Sequence, residues 1–206
     1  MIYLKLFMFV FIFMYPFIIL AAGNSTRMGQ PKPFVKLYNN VTLLEYLIVE
    51  LKKCAVTKIF VVLNNEGNQI LENRYAYLKQ DTTIIINHFP EKGRLFSLKL
   101  GLEKNEFTPI FIQNVDNPFI NNKLICGMSN LLKPYAYIVP EYQGKGGHPV
   151  LISKEIADDL IKENAYASNL RDILSHYQKI AYDTEFNEIL YNLNNPIDID
   201  FFQKKS

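Results

Sequence analysis

Residues 21–32 read Ala-Ala-Gly-Asn-Ser-Thr-Arg-Met-Gly-Gln-Pro-Lys and follow an apolar run. This composition suits an anion. Gly23 and Gly29 permit close backbone approach and unusual φ values. Arg27 offers a planar fork for phosphate oxygens, and Lys32 a mobile point charge. Ser25 supplies an oxygen that can cap the turn that follows. A loop leading from a strand toward a helix also aims backbone N–H groups at an anion. Neither the Walker spacing nor the dinucleotide Gly-x-Gly-x-x-Gly spacing is present. An ordinary connecting loop with a surface Arg and Lys has the same composition, so the neighbours must decide. Asp116 ends the apolar run 109–115 and stands just before Pro118. A carboxylate there can hold a hard cation, or cap a helix or turn. His148 follows the Gly-rich stretch 144–147. It serves either a ligand or the hydrogen bonds of a strand start. No Cys/His spacing suits zinc.

The elements that must position these residues follow from periodicity. Residues 17–20 (Phe-Ile-Ile-Leu) read as a buried parallel strand. Residues 42–53 are an amphipathic helix, with Leu43, Leu44, Leu47, Ile48 and Leu51 at the 3.6 period. Strands are expected at 58–63, 83–87, 109–115, 135–139 and 149–152, with short ones near 179–182 and 189–193. Helices are expected at 68–79, 95–104, 122–132, near 154–163 and 168–176, and after Pro196. Strands alternating with helices of this length predict an α/β fold: three layers around a mostly parallel, Rossmann-like sheet. Ligands of such sheets bind beyond the carboxyl ends of the strands. The loop after Leu20 and Asp116 both fall there.

Composition removes several classes. The chain has 206 residues, 49% hydrophobic and 20% charged, with a net charge of +2. That apolar content is too high for intrinsic disorder. The charge balance offers no excess for a nucleic-acid sheath. Two cysteines, Cys54 and Cys126, make no disulfide scaffold, and both are expected as reduced core thiols.

The motifs also carry a resemblance. Residues 20–32, Leu-Ala-Ala-Gly-Asn-Ser-Thr-Arg-Met-Gly-Gln-Pro-Lys, resemble the Leu-Ala-Ala-Gly-x-Ser-x-Arg-Met-Gly-x-x-Lys signature of the GT-A-like, or MobA-like, nucleotidyltransferases. The segment Gly93-Arg-Leu-Phe-Ser97-Leu is similar to that family's Gly-Met-x-x-Ser-Leu, with Arg94 and Phe96 in place of the usual Met and Ser. Val115-Asp116-Asn-Pro118 resembles its Val-Asp-x-Pro metal site, and Gly147-His148-Pro149-Val150 its Gly-His-Pro-Val motif. The tail 192–198 resembles its Asp-x-Asp/Asn-Thr-Pro-Glu-Asp ending, with Asn194 at the second acidic position. The branch most similar is the molybdenum-cofactor cytidylyltransferase and guanylyltransferase group.

The resemblance implies transfer of a nucleotidyl group from a nucleoside triphosphate to a phosphorylated acceptor, with release of pyrophosphate. It puts Arg27 and Lys32 on the triphosphate as catalytic residues. It makes Leu20, Ala21, Ala22, Gly23, Ser25 and Ser97 nucleotide-binding, and Asp116 the holder of Mg²⁺. Gly147 and His148 become candidates for the acceptor. CTP, then GTP, is the implied donor and molybdopterin the implied acceptor, with no nucleic-acid partner. Sugar, polyol or choline phosphates are the alternative acceptors. A non-catalytic nucleotide-binding protein on the same fold is a further alternative. Asn195, Pro196 and Asp198 read more simply as a helix start.

The resemblance bears on the amino terminus. Eighteen of the first 20 residues are apolar, which alone resembles a signal peptide or membrane segment. Cleavage near Ala22 would delete the strand that delivers the loop, and a membrane helix through Leu20 would bury the loop. Residues 1–13 are therefore expected to be an apolar extension, or a start assigned too early. Residues 14–206 are expected to be a single domain in the cytoplasm. Membrane association through residues 1–20 is the alternative.

Overall fold

The computed structural model describes residues 14–23, 29–37, 40–105, 108–162 and 169–205. Along the chain run β1 (Phe17–Ala21), α1 (Leu43–Lys53), β2 (Ile59–Asn64), α2 (Asn65–Arg74), β3 (Thr83–Asn87), α3 (Gly93–Leu102), β4 (Ile110–Asn114) and α4 (Asn122–Leu131). Then follow β5 (Ala136–Tyr142), β6 (Lys145–Gly146), β7 (Val150–Ile152), α5 (Lys154–Lys162), α6 (Leu170–Leu174), β8 (Gln178–Asp183) and α7 (Pro196–Lys205).

The strands form one sheet in the order β3-β2-β1-β4-β7-β5-β6, with β8 on β5. Strands β3, β2, β1 and β4 are parallel. Strand β7 runs against both β4 and β5, and β8 is parallel to β5. The sheet is thus mostly parallel, as the alternation of elements predicts.

Strand β1 is apolar at every position because both of its faces are covered. Phe17, Ile19 and Ala21 point into a core shared with α1, α4 and α7. Ile18 and Leu20 point into a second core shared with α3, α5 and α6. These two cores make the three layers. The Phe17 ring stacks on Phe111 of β4 at 4.6 Å. On the other face α3 approaches so closely that a Cβ on Gly101 would lie 3.0 Å from the Ile18 side chain. Each fully buried side chain of this size is worth about 1.5–3 kcal/mol, so the central strand is firmly held.

Local rules explain the helix starts. Thr42 and Glu45 form a capping box on α1. Asn121 caps α4. Asn195 Oδ1 accepts from Asp198 N at 3.0 Å, while Asp198 Oδ2 accepts from Asn194 N and Asn195 N. The helix start expected at Asn195, Pro196 and Asp198 is therefore present.

Three expectations need correction. The helix expected at 68–79 begins at Asn65, because the Asn64 side chain caps it through Gly67 N at 2.8 Å. It ends at Arg74, and a 3₁₀ turn, Ala76–Gln80, follows. The strand expected at 189–193 is a 3₁₀ turn, Asn187–Leu190, and then an extended segment outside the sheet. Its backbone bonds go instead to the Asp116 turn and to the chain before β7, with Leu193 N donating to Asp116 O at 2.8 Å and Ile189 O accepting from His148 N at 3.1 Å. Cys54 is buried as expected, whereas Cys126 on α4 is only half-buried. Among the described residues, no helix is long and apolar enough to cross a membrane. Residues 1–13 lie outside the described residues.

Candidate active site

The site begins where β1 stops. Leu20 pairs with Val62 on one side and Asn114 on the other, so the end of β1 is bonded to both neighbours. Val115 N adds a bond to Leu20 O at 3.1 Å. Beyond these carboxyl ends lies a cleft of about 340 Å³. Its lining includes Leu20, Ala21, Ala22, Gly23, Lys32, Ser97 and Asp116, all expected as site residues, together with Arg94 and Asn114. After Leu20 this wall carries no side chain larger than a methyl group, so backbone faces the cleft. Ser25 and Arg27 lie outside the described residues.

Lys32 opens a 3₁₀ turn, Lys32–Phe34. Buried Phe34 stacks on Tyr75 at 5.1 Å and pins that turn to the body. The Lys32 ammonium donates to Asp116 Oδ2 and to Asn194 Oδ1, at 2.7 Å each. The Lys32 and Asp116 side chains each keep 21% exposure, so a ligand can reach the pair. Asp116 caps no helix, since that role belongs to Asn121. Two oxygens therefore converge on one cation position. Among the described residues, no group of three or more His, Cys, Asp or Glu gathers to hold a metal.

Arg94 enters from the first turn of α3 and lines the cleft with Asp116. Arg94 stays exposed as a residue, yet loss of water around its guanidinium lowers its pKa, and the negative charge of Asp116 works against that fall. The guanidinium stays charged. Phe96 turns elsewhere, packing edge-on to Phe89 with the Lys92 ammonium over both rings. Of the two departures in the 93–97 segment, Arg94 is thus the one that reaches the cleft. The Ser97 hydroxyl accepts from Asn87 Nδ2 at 2.9 Å, and Asn87 Oδ1 accepts from Phe89 N. That pair holds the β3–α3 connection at the rim.

His148 and Gly147 stand at one remove and are not part of the cleft lining. His148 Nε2 lies 3.1 Å from Asn114 Nδ2. Burial, and then the positive charge of Arg94, push the imidazole down to about 4, so it is neutral near pH 7. A Cβ on Gly147 would lie 2.4 Å from Ile189 O, and His148 N donates to the same oxygen. Gly147 therefore lets the chain before β7 press against the segment that leads to Asn194. Asn114, and Asn117 described below, were not singled out from sequence. The density of Asn at 114–117 and 192–195, each near a strand end or helix start, is the signal that could have found them.

Comparison with known proteins adds to this geometry. The model of the MobA-like NTP transferase domain matches residues 17–180. The molybdenum cofactor cytidylyltransferase of Escherichia coli (strain K12) is 29% identical over 181 residues, covering 88% of this chain and 91% of that protein. A protein of Carboxydothermus hydrogenoformans named "Probable molybdenum cofactor guanylyltransferase" is 22% identical over 191 residues, covering 88% and 91%. A Mycobacterium tuberculosis H37Rv protein solved in complex with manganese has the same fold, with TM-score 0.68 and 16% identity over 94% of this chain and 100% of that one. An apolar central strand ends in a backbone-walled cleft, with a lysine and an aspartate paired at its edge, over the span that the family model matches. On these grounds the chain belongs to the MobA-like NTP transferase family and is a nucleotidyltransferase.

Proposed function

We propose that this chain transfers a nucleoside monophosphate from CTP, or in second place GTP, to the phosphate of molybdopterin, and releases pyrophosphate. One observation carries the reading: Lys32, Asp116 and Asn194 meet at 2.7 Å beside a cleft walled by the backbone at the end of β1. An oxygen of the acceptor phosphate attacks the α-phosphorus. The bond from that phosphorus to the bridging oxygen breaks, and the electron pair leaves with pyrophosphate. The acceptor phosphate is already ionised, so positioning and charge neutralisation make up most of the catalysis.

The residues present fit a divalent cation. Asp116 Oδ2 and Asn194 Oδ1 are hard oxygen donors already facing one positive charge. Mg²⁺ accepts one or two such ligands and takes the rest from phosphates and water. When bound, it would neutralise phosphate charge. The Lys32 charge would act on the triphosphate at the same place, where it would favour the negative charge that builds up during transfer. Arg27, outside the described residues, is assigned to the same phosphates on the signature alone. The small residues Ala21, Ala22 and Gly23 admit the nucleoside by shape, with Ser97 at the rim. Gly147 and His148, behind Asn114, act on the acceptor side through the elements they hold.

The relatives named above support this choice of donor and acceptor. The test is pyrophosphate release from CTP, GTP, UTP and ATP with Mg²⁺. Each is paired with molybdopterin and with sugar, polyol and choline phosphates. Release with CTP and molybdopterin is expected. Release only with another acceptor would move the function there. Nucleotide binding without release from any pair would make the chain a binding protein.

A further inference from the structure

Asn117 is 2% exposed, a buried polar side chain directly after Asp116. Its bonds run in two directions. Toward β4, its Oδ1 accepts from Asn114 Nδ2 at 3.0 Å, its backbone N donates to Asn114 O, and its backbone O accepts from Gln113 Nε2. Toward the carboxyl end, its Nδ2 donates to Tyr191 O at 2.6 Å and to Asn192 Oδ1 at 2.9 Å. Both amide protons are spent on the segment that carries Asn194, and the amide oxygen is spent on the end of β4. The bond from Leu193 N to Asp116 O runs parallel to this bridge. Packing alone would be met by an apolar side chain. A buried amide with its donors and acceptor all used is a geometric constraint.

We propose that Asn117 is a positioning residue that sets the separation of Asp116 from Asn194 and thereby the grip of that pair on a divalent cation. The inference rests on the metal assignment made under the proposed function. Asp116 lies on one side of the bridge and Asn194 two residues beyond Asn192 on the other. The α7 cap holds the Asn194 backbone through Asp198. With both ends anchored, the amide of Asn117 is the cross-piece.

The test uses the full chain without nucleotide, titrated with Mn²⁺ by calorimetry, alongside thermal unfolding and steady-state kinetics. Three variants are compared: Asn117→Leu, which keeps the branching of the side chain without its polar atoms, Asn192→Ala, which removes one exposed partner, and Leu71→Ala, a buried change on α2. Asn117→Leu is expected to weaken Mn²⁺ binding about tenfold, on the scale of losing a group that orients a metal ligand. Asn192→Ala is expected to weaken it by less, with the nucleotide KM of both within about twofold. Leu71→Ala is expected to lower Tm and leave Mn²⁺ affinity unchanged. Wild-type Mn²⁺ affinity in both asparagine variants, whatever their Tm, would overturn the proposal. So would a wild-type chain that binds no Mn²⁺. Should Asn117→Leu fail to fold, Asn192→Ala decides alone. A wild-type chain that binds Mn²⁺ yet releases no pyrophosphate would refute the transferase reading, while the variants' affinities would still decide this one.

Discussion

The two walls of the cleft are built on different principles. One is the end of β1, where Ala21 closes a strand bonded on both edges and buried on both faces, and Ala22 and Gly23 follow it. It presents backbone, and its shape is set by the sheet. The other wall joins the turn after β4 to the segment before α7, and there side chains do the joining: Lys32 to Asp116 and Asn194, Asn114 to Asn117 and His148, Asn117 to Asn192. A backbone wall accepts or rejects a ligand by fit. A wall of linked side chains holds charge, and depends on every link. The first should respond to added bulk and the second to lost groups.

The largest effect is expected on the charged wall. Lys32→Ala should lower kcat by about 10²–10³-fold, the usual scale for removing one preorganised charge or donor. The nucleotide KM should move only a few-fold, because the lost interaction strengthens in the transition state. Steady-state pyrophosphate release measures both. Equal losses in kcat and in binding would place Lys32 in ground-state recognition and blur the contrast between the walls.

A smaller effect is expected on the backbone wall. Gly23→Leu adds a side chain where a Cβ meets open space at the cleft wall and should raise the nucleotide KM about tenfold, on the scale of one misfitting apolar group in a pocket. The kcat at saturation should fall much less. A collapse of kcat with unchanged KM would mean that this wall, too, acts on the reacting atoms.

The smallest effect concerns His148, at the back of the charged wall. Its folded pKa of about 4 lies below the ordinary 6.5. Its contribution to stability is therefore complete above pH 6.5 and is lost as the pH falls from 6.5 toward 4, where the unfolded chain takes up the proton first. His148→Gln should flatten the fall of Tm across that window. Parallel Tm curves for the two proteins would show that the imidazole is not held neutral by the fold.

The contrast also explains what could be read from the residues alone. Strand β1, its loop and the strand-end position of Asp116 follow from short-range rules: a continuous apolar run, then glycines and cations, and a carboxylate where such sheets bind ligands. The α7 start was legible for the same reason, since Asn195, Pro196 and Asp198 are neighbours. The region 189–193 was not. Ile189 and Leu193 are buried and the residues between them partly exposed, which imitates a strand. Their hydrogen bonds go to a turn far earlier in the chain. Asn117 was hidden likewise, because its partners Tyr191 and Asn192 lie 74 and 75 residues away. Arg94 stood out as a departure from the family pattern, but only the start of α3 shows that it reaches the cleft while Phe96 does not.

Lys32 finds one of its oxygens 84 residues downstream and the other 162. During synthesis the ribosome delivers the lysine 162 residues before Asn194. No nascent chain that stops before Asn194 contains the full set. A product that stops early could still assemble much of the parallel sheet, yet it would lack the third member of the cluster and the segment that Asn117 bridges. The segment from Tyr191 to Asn194 thus completes the charged side of the cleft, and a chain terminated before it would be born without that side.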